Sequence, residues 1–262
     1  MNHSPRTTLI TGASAGIGEA FARLLAARGD RLILVARRAD RLQALADELH
    51  TAHGSEAIVI SCDLASADGP AALFAETERR GLVVDLLINN AGFGKYGPFW
   101  KQPMSMYSDM VQLNITALMA LCHLYLPAMR ARKQGGIINV ASVAGFPPTP
   151  QFTVYGATKA FVVSFSQALA IETRAAGVRV SVLCPGSTAT EFQAVAADKS
   201  DLSVSTDGGQ TAEAVARAGL EGYEAGKVIV VSGAINKAAV VALGILPRSL
   251  VRRVVGSMYH DR

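Results

Sequence analysis

The chain is poor in cysteine. Cys62, Cys122 and Cys184 are the three in 262 residues, and they lie far apart. That spacing excludes a disulfide framework and the paired thiols of a zinc ribbon, and it reads as reduced thiols in a cytoplasmic protein. Cys62 and Cys184 sit in apolar runs, where a free cysteine is core packing. The five histidines, His3, His50, His53, His123 and His260, show no metal-ligand spacing, so no metal is expected. His123 lies in an apolar helical run and reads as a packed core residue. Charge is scarce as well: 18% of residues are charged and the net charge is +4. The positive residues are scattered apart from Arg37-Arg38 and a cluster near the C-terminus, so no nucleic-acid partner is expected. The opening "MNHSPRTTLI" lacks the apolar core of a signal peptide. No apolar stretch is expected to reach the roughly 20 residues that cross a bilayer. A G-x-S-x-G elbow is missing, which removes that hydrolase signature.

What is abundant is apolar sequence, half of the chain. It falls into strand-length runs: "TTLITG", "RLILVAR", "EAIVISCDL", "VDLLINNAG", "GGIINVAS", "VRVSVLCPG" and "KVIVVSG". They are nearly continuous in Val, Ile and Leu, as strands buried on both faces are. Between them the periodicity is helical. Ile17, Ala20, Phe21, Leu24 and Leu25 share one helix face, with Gly29 reading as the C-cap, and Leu42, Leu45, Ala46 and Leu49 share another. Strand and helix alternate without a break, which argues for βαβ units and a parallel sheet covered on both sides. No linker or repeat interrupts the pattern, so residues 1–262 read as one domain. The polar stretch 189–210 is long for a connection and reads as a candidate substrate loop.

Gly12, Gly16 and Gly18 stand between the first strand and the first helix. A turn that opens a helix points backbone N–H groups and the positive helix end at one spot, a ready site for phosphate. The spacing is G-x-x-x-G-x-G, not the commoner G-x-G-x-x-G, and three glycines alone also fit a plain turn. The tip of the second strand carries Ala36, Arg37 and Arg38 where an acidic residue would hold a ribose 2′-hydroxyl; Asp40 comes later. Two arginines there suit the 2′-phosphate of NADP, and NADP(H) is expected over NAD(H). Their alternative reading is a solvated helix start.

Together with "TGASAGIG", the Asp63 of "CDL", "NNAG" at 89–92, Asn114, Ser142, "YGATK" at 155–159 and "PGSTAT" at 185–190 occur in order. The chain resembles the short-chain dehydrogenase/reductase family, of the shorter single-domain kind. The resemblance implies a doubly wound Rossmann fold, α/β, with about seven parallel strands and helices on both faces. It implies hydride transfer between NADPH and a ketone or aldehyde, or the reverse alcohol oxidation. Tyr155 would be the acid/base and Lys159, four residues on along one helix face, its tuner and a ribose ligand. A neighbouring ammonium favours the phenolate and should lower the Tyr155 pKa. Ser142 would stabilise the substrate oxygen. Asn114 would anchor a water relay, although a buried asparagine that bonds its neighbours' backbone is the plainer reading. The implied cofactor contacts are Gly12, Ser14, Ala15, Gly16, Ile17 and Gly18; Arg37 and Arg38; Asp63 and Leu64; Asn90, Ala91 and Gly92; Tyr155 and Lys159; and Pro185, Gly186, Thr188 and Thr190. An NADPH-binding redox sensor without turnover is the alternative, and an intact Ser-Tyr-Lys set argues against it.

Substrate choice should sit at Gly94, Tyr96 and Phe99, at 144–152 and in 189–210. "AGFPPTPQF" suggests either a bulky or apolar carbonyl substrate or an exposed loop stiffened by its prolines. The C-terminal extension 234–262 joins an apolar run to Arg248, Arg252 and Arg253. Packing on a partner subunit of a dimer or tetramer, or on its own core, is favoured there over contact with a membrane surface.

Overall fold

The computed structural model describes residues 5–196 and 209–259. The seven apolar runs form one sheet. Its strands are β1 (Thr7–Thr11), β2 (Arg31–Ala36), β3 (Ala57–Ser61), β4 (Leu86–Asn89), β5 (Gly135–Val140), β6 (Val178–Cys184) and β9 (Ile229–Val231), in the order β3-β2-β1-β4-β5-β6-β9. Every pairing is parallel. A short pair, β7 (Thr188–Ala189) and β8 (Gln210–Thr211), stands apart from it.

The continuous apolar runs follow from burial on both faces. On β1 and β2, Leu9, Ile33 and Val35 enter one core with Leu73, Leu121, Tyr125, Val162 and Val163. Their neighbours Ile10, Leu32 and Leu34 enter the other with Phe21, Leu25, Leu42, Leu45 and Leu220. The first core is covered by α3 (Gly69–Arg79), α5 (Leu118–Arg132) and α6 (Thr153–Arg174), the second by α1 (Gly16–Ala26), α2 (Ala39–His53) and α8 (Ala212–Glu224). This is the doubly wound Rossmann arrangement. Its chain reversal between β1 and β4 leaves a crevice at the carboxyl ends of the strands, where such sheets bind ligands.

A buried polar chain crosses the sheet. Asn89 on β4 donates to Asn139 on β5 (2.9 Å), and Asn139 donates to Ser166 on α6 (2.9 Å). Helix α4 (Met104–Val111) runs into α5 through a π turn, Gln112–Ala117.

Several expectations need correction. Helix α1 is capped at Ala27, and Gly29, at φ 84°, closes the following turn by donating to the Ala26 carbonyl. His123 is exposed, because it lies on the face of α5 turned from the sheet. Met104–Arg132 and Thr153–Arg174 are both long and apolar enough to cross a membrane by length and composition; here they lie along the sheet as core helices. Of the candidate substrate loop, residues 197–208 lie outside the described residues; the ends are β7, α7 (Glu191–Ala196) and β8. The C-terminal extension forms α9 (Ala234–Ile245) and α10 (Arg248–Tyr259). α9 touches this chain's core only through the partly buried Val240; none of its residues is fully buried, and Ile235 and Ile245 are 87% and 79% exposed.

Candidate active site

The implied site residues collect at the carboxyl ends of β1, β2, β3, β4, β5 and β6. The glycine turn follows β1. Gly12 and Gly16 have φ of 66° and 60°, which glycine alone adopts without strain. A Cβ on Gly12 would lie 2.9 Å from Asn90 Nδ2, and one on Gly18 would overlap the Gly12 carbonyl. Ala15 precedes α1 without any side-chain cap, so the first N–H groups of the helix are left for an anion. The turn is braced by Asn90, whose amide donates to the Thr11 carbonyl (3.0 Å), and by Thr11 Oγ1, which accepts from the backbone N–H of Asn90 and Ala91 (3.0 Å each). Thus Asn90 and Ala91 shape the cradle, and Thr11, absent from the sequence reading, shares that work. These residues fit a dinucleotide pyrophosphate. We expect Gly18→Ala to cost about 1–3 kcal/mol through overpacking and to abolish the rise in melting temperature that NADPH gives the parent, read by thermal unfolding with and without NADPH.

Around the expected catalytic group the structure brings Ser142, Tyr155, Lys159 and Asn114 together. Ser142 follows β5, accepts from Ala144 N–H (3.1 Å), donates to the Pro185 carbonyl (3.4 Å) and lies near Tyr155. Lys159 is buried and donates to the Val140 carbonyl (2.9 Å), with its Nζ 5.6 Å from the Tyr155 ring centre. Burial lowers its pKa to about 8. The expected lowering at Tyr155 is not found: burial raises that phenol, and the nearby Ser142 only partly opposes it. Lys159 directs its hydrogen bond past the ring to the Val140 carbonyl and not to the Tyr155 hydroxyl.

Asn114 sits in the π turn. Its Oδ1 accepts from Phe93 N–H (3.0 Å), and its Nδ2 donates to the Phe93 carbonyl (2.9 Å) and to Thr158 Oγ1 (3.1 Å). It welds the loop after β4 to α6. A Cβ on Gly92 would come 2.9 Å from Asn114 Oδ1 and 3.4 Å from Lys159 Nζ, so only glycine leaves this corner open.

Aromatic rings wall the tyrosine. Phe152 stacks on Tyr155 at 4.2 Å, Phe192 of α7 lies 5.3 Å away, and Tyr96 lies 6.1 Å from Phe152. Gly94 permits this, since a Cβ there would lie 2.6 Å from Phe152 and 2.8 Å from Tyr155. Phe99 instead stacks on Tyr107 and is 51% exposed.

The arginines diverge. Arg37 is exposed and its side chain has no hydrogen bond among the described residues; its carbonyl accepts from Ser61. Arg38 donates to Ser14 Oγ (3.1 Å) and to Glu191 (3.1 Å), which Arg41 also pairs. Asp63 is exposed past β3 and accepts from Ala65 N–H (3.0 Å). The Leu64 side chain is 5% exposed and packs in the core, so only its backbone could meet a cofactor. Pro185 O accepts from Val143 N–H (2.9 Å). Gly186 packs against Asn236 of α9. Thr188 is buried and donates to Gly186 O (3.1 Å), while Thr190 rests on Gly16. Ser14, Ala15 and Ile17 line the turn with partial exposure. Sequence reasoning missed Arg41; Glu191 and Phe192 fall inside the expected 189–210 loop, but no local motif marks either one. No cluster of metal-binding side chains occurs among the described residues.

The family model described as short chain dehydrogenase matches residues 6–201. A short chain dehydrogenase of Pseudocercospora fijiensis is 34% identical over 191 residues, 72% of this chain and 62% of that relative, so the match spans less than two thirds of its length. A 7beta-hydroxysteroid dehydrogenase of Collinsella aerofaciens is 32% identical over 182 residues, 70% of this chain and 68% of the relative. The solved structure of a short-chain dehydrogenase from Sphingobium yanoikuyae in complex with NADPH superposes with a TM-score of 0.81 at 31% identity, covering 93% of this chain and 97% of that one. The chain belongs to the short-chain dehydrogenase family, whose members are oxidoreductases.

Proposed function

We propose that the chain is an NADP(H)-dependent oxidoreductase that interconverts a bulky, apolar ketone or aldehyde and its alcohol. The observation that carries this is Tyr155 set in an aromatic recess near Ser142, with Lys159 buried four residues along the same helix. The dinucleotide supplies or accepts the hydride when bound. Burial keeps the Tyr155 phenol protonated through neutral pH, the form that gives a proton to a carbonyl oxygen in reduction. Ser142 lies beside that hydroxyl and stabilises charge on the same oxygen. Lys159 would bind the ribose, and its Nζ lies at the corner formed by Gly92 and Asn114. Asn114 holds that corner through Phe93 and Thr158 and would anchor the water that leads protons to Lys159.

The apolar lining of Phe93, Phe152, Val154 and Phe192 supports a bulky apolar substrate, as does the steroid named for the Collinsella relative. NADP(H) preference is supported by Arg37 and Arg38 at the tip of β2 and by the NADPH bound in the Sphingobium structure. A homo-oligomer is supported by the exposed apolar side chains of α9.

Loss of NADPH absorbance with ketones and aldehydes of graded size, run beside NADH, tests the reading. Turnover should favour NADPH and the larger apolar members. Arg38→Ala and Arg37→Ala should each weaken NADPH about tenfold or more, as loss of a charge-assisted hydrogen bond does, and leave NADH nearly unchanged. Equal losses for the two cofactors would place the 2′-phosphate elsewhere.

A further inference from the structure

We propose that Glu191 is a built-in competitor for the 2′-phosphate of the cofactor, holding the arginines that would bind it. The inference rests on the NADP(H) reading above. Glu191 opens α7, and its carboxylate accepts from both Arg38 and Arg41, residues 153 and 150 positions earlier in the chain. Arg38 is the same guanidinium that reaches the glycine turn through Ser14. Arginine recognises carboxylate and phosphate with the same fork of N–H groups, so one fork cannot serve both fully. The two arginines also hold the Glu191 carboxyl below its ordinary range, so it stays anionic at working pH. A phosphate of roughly two negative charges arriving at Arg38 meets a carboxylate already there. Glu191 must then give way or repel it.

The consequence reaches the chemistry. Thr190, one residue before, packs on Gly16. Phe192, one residue after, packs against the Tyr155 ring, and Ala196 O at the far end of α7 accepts from Tyr96 N–H (2.9 Å). One short segment therefore touches the glycine turn, the phosphate-binding arginines and the catalytic tyrosine. A cofactor without a 2′-phosphate does not disturb Glu191; one that carries it does. Glu191 is thus a specificity-determining residue that lowers affinity for the phosphorylated cofactor and joins its binding to the seating of α7.

Adenosine 2′,5′-bisphosphate and ADP isolate the phosphate from the nicotinamide, and calorimetry reads their binding without turnover. In the full chain, Glu191→Gln should bind the bisphosphate and NADPH about three- to fivefold tighter, the scale of an exposed ion pair, with ADP and NADH unchanged. Glu191→Ala should do the same, and neither change should persist in an Arg38→Ala background. Unchanged or weaker bisphosphate binding in Glu191→Gln, with Arg38→Ala still selectively harmful to NADPH, overturns the competitor and leaves the NADP(H) reading standing. Equal tightening of ADP and bisphosphate also overturns it, because α7 would then be a plain steric cover. If the parent binds NADPH no better than NADH and Arg38→Ala weakens both equally, the NADP(H) reading itself fails and the inference with it.

Discussion

Tyr155→Phe should lower the rate of carbonyl reduction by a factor between about a hundred and ten thousand, the contribution typical of a positioned general acid. The substitution removes one oxygen and keeps the ring. Stacking on Phe152 at 4.2 Å and the tilted contact with Phe192 at 5.3 Å are retained, so the fold and the wall of the recess should survive. Ser142 keeps its bond from Ala144 N–H (3.1 Å) and its own contact to the Pro185 carbonyl (3.4 Å), so no buried hydroxyl is stranded. The dissociation constant for NADPH, read by fluorescence, should change by less than about twofold, because the lost group acts on the reacting oxygen. Retained turnover would remove Tyr155 from the mechanism. Loss of turnover together with lost NADPH binding would show that the hydroxyl serves the cofactor more than the substrate.

Lys159→Met should divide activity from stability. Its ammonium is buried with one carbonyl partner at 2.9 Å, and its pKa falls to about 8. In an unfolded chain the same lysine titrates near 10.4. Between these values the unfolded state binds more protons than the folded one, so this group's contribution makes stability rise with pH from about 8 to about 10. Below about 8 the folded state carries the full cost of a buried charge. The methionine variant lacks that cost and should melt higher than the parent at pH 7. The advantage should shrink as the pH approaches 10. Turnover should fall on the order of a hundredfold, and the inflection near pH 8 in the parent's kcat/KM profile should vanish. A variant that melts lower at pH 7, or that keeps the inflection, would contradict the role given to this lysine.

The fold was legible because the central strands are buried on both faces. Leu9 and Ile10 are adjacent and enter opposite cores, and that geometry writes an unbroken apolar run into the sequence. The glycine turn and the Tyr-Lys pair were legible as well, since their spacing is local. What escaped was set by long-range packing. Glu191 meets Arg38 and Arg41 across more than a hundred residues, and nothing around it distinguishes it from a helix-start carboxylate. Leu64 follows Asp63 at a strand end, and only the tertiary structure shows its side chain turned into the core. His123 misled because α5 is apolar on its outer face too, where Met119 is 42% exposed. The Tyr155 pKa escaped because four-residue spacing fixes a shared helix face but not where the lysine head points.

The wide turn at Gln112–Ala117 has a consequence for how the gene can vary. A π turn amounts to one residue inserted into an α-helix. It resets the phase of everything after it: Tyr107 and Met110 face the recess ahead of it, while Leu118, Leu121 and Cys122 face the sheet behind it. Deleting any single codon in this stretch would leave a continuous helix of respectable propensity. It would also rotate α5 by about 100° relative to α4, since each α-helical residue turns that far. Asn114 would swing away from Phe93 and Thr158. Surface loops elsewhere can gain or lose a residue with little harm, but here the reading of one face against the other depends on the count.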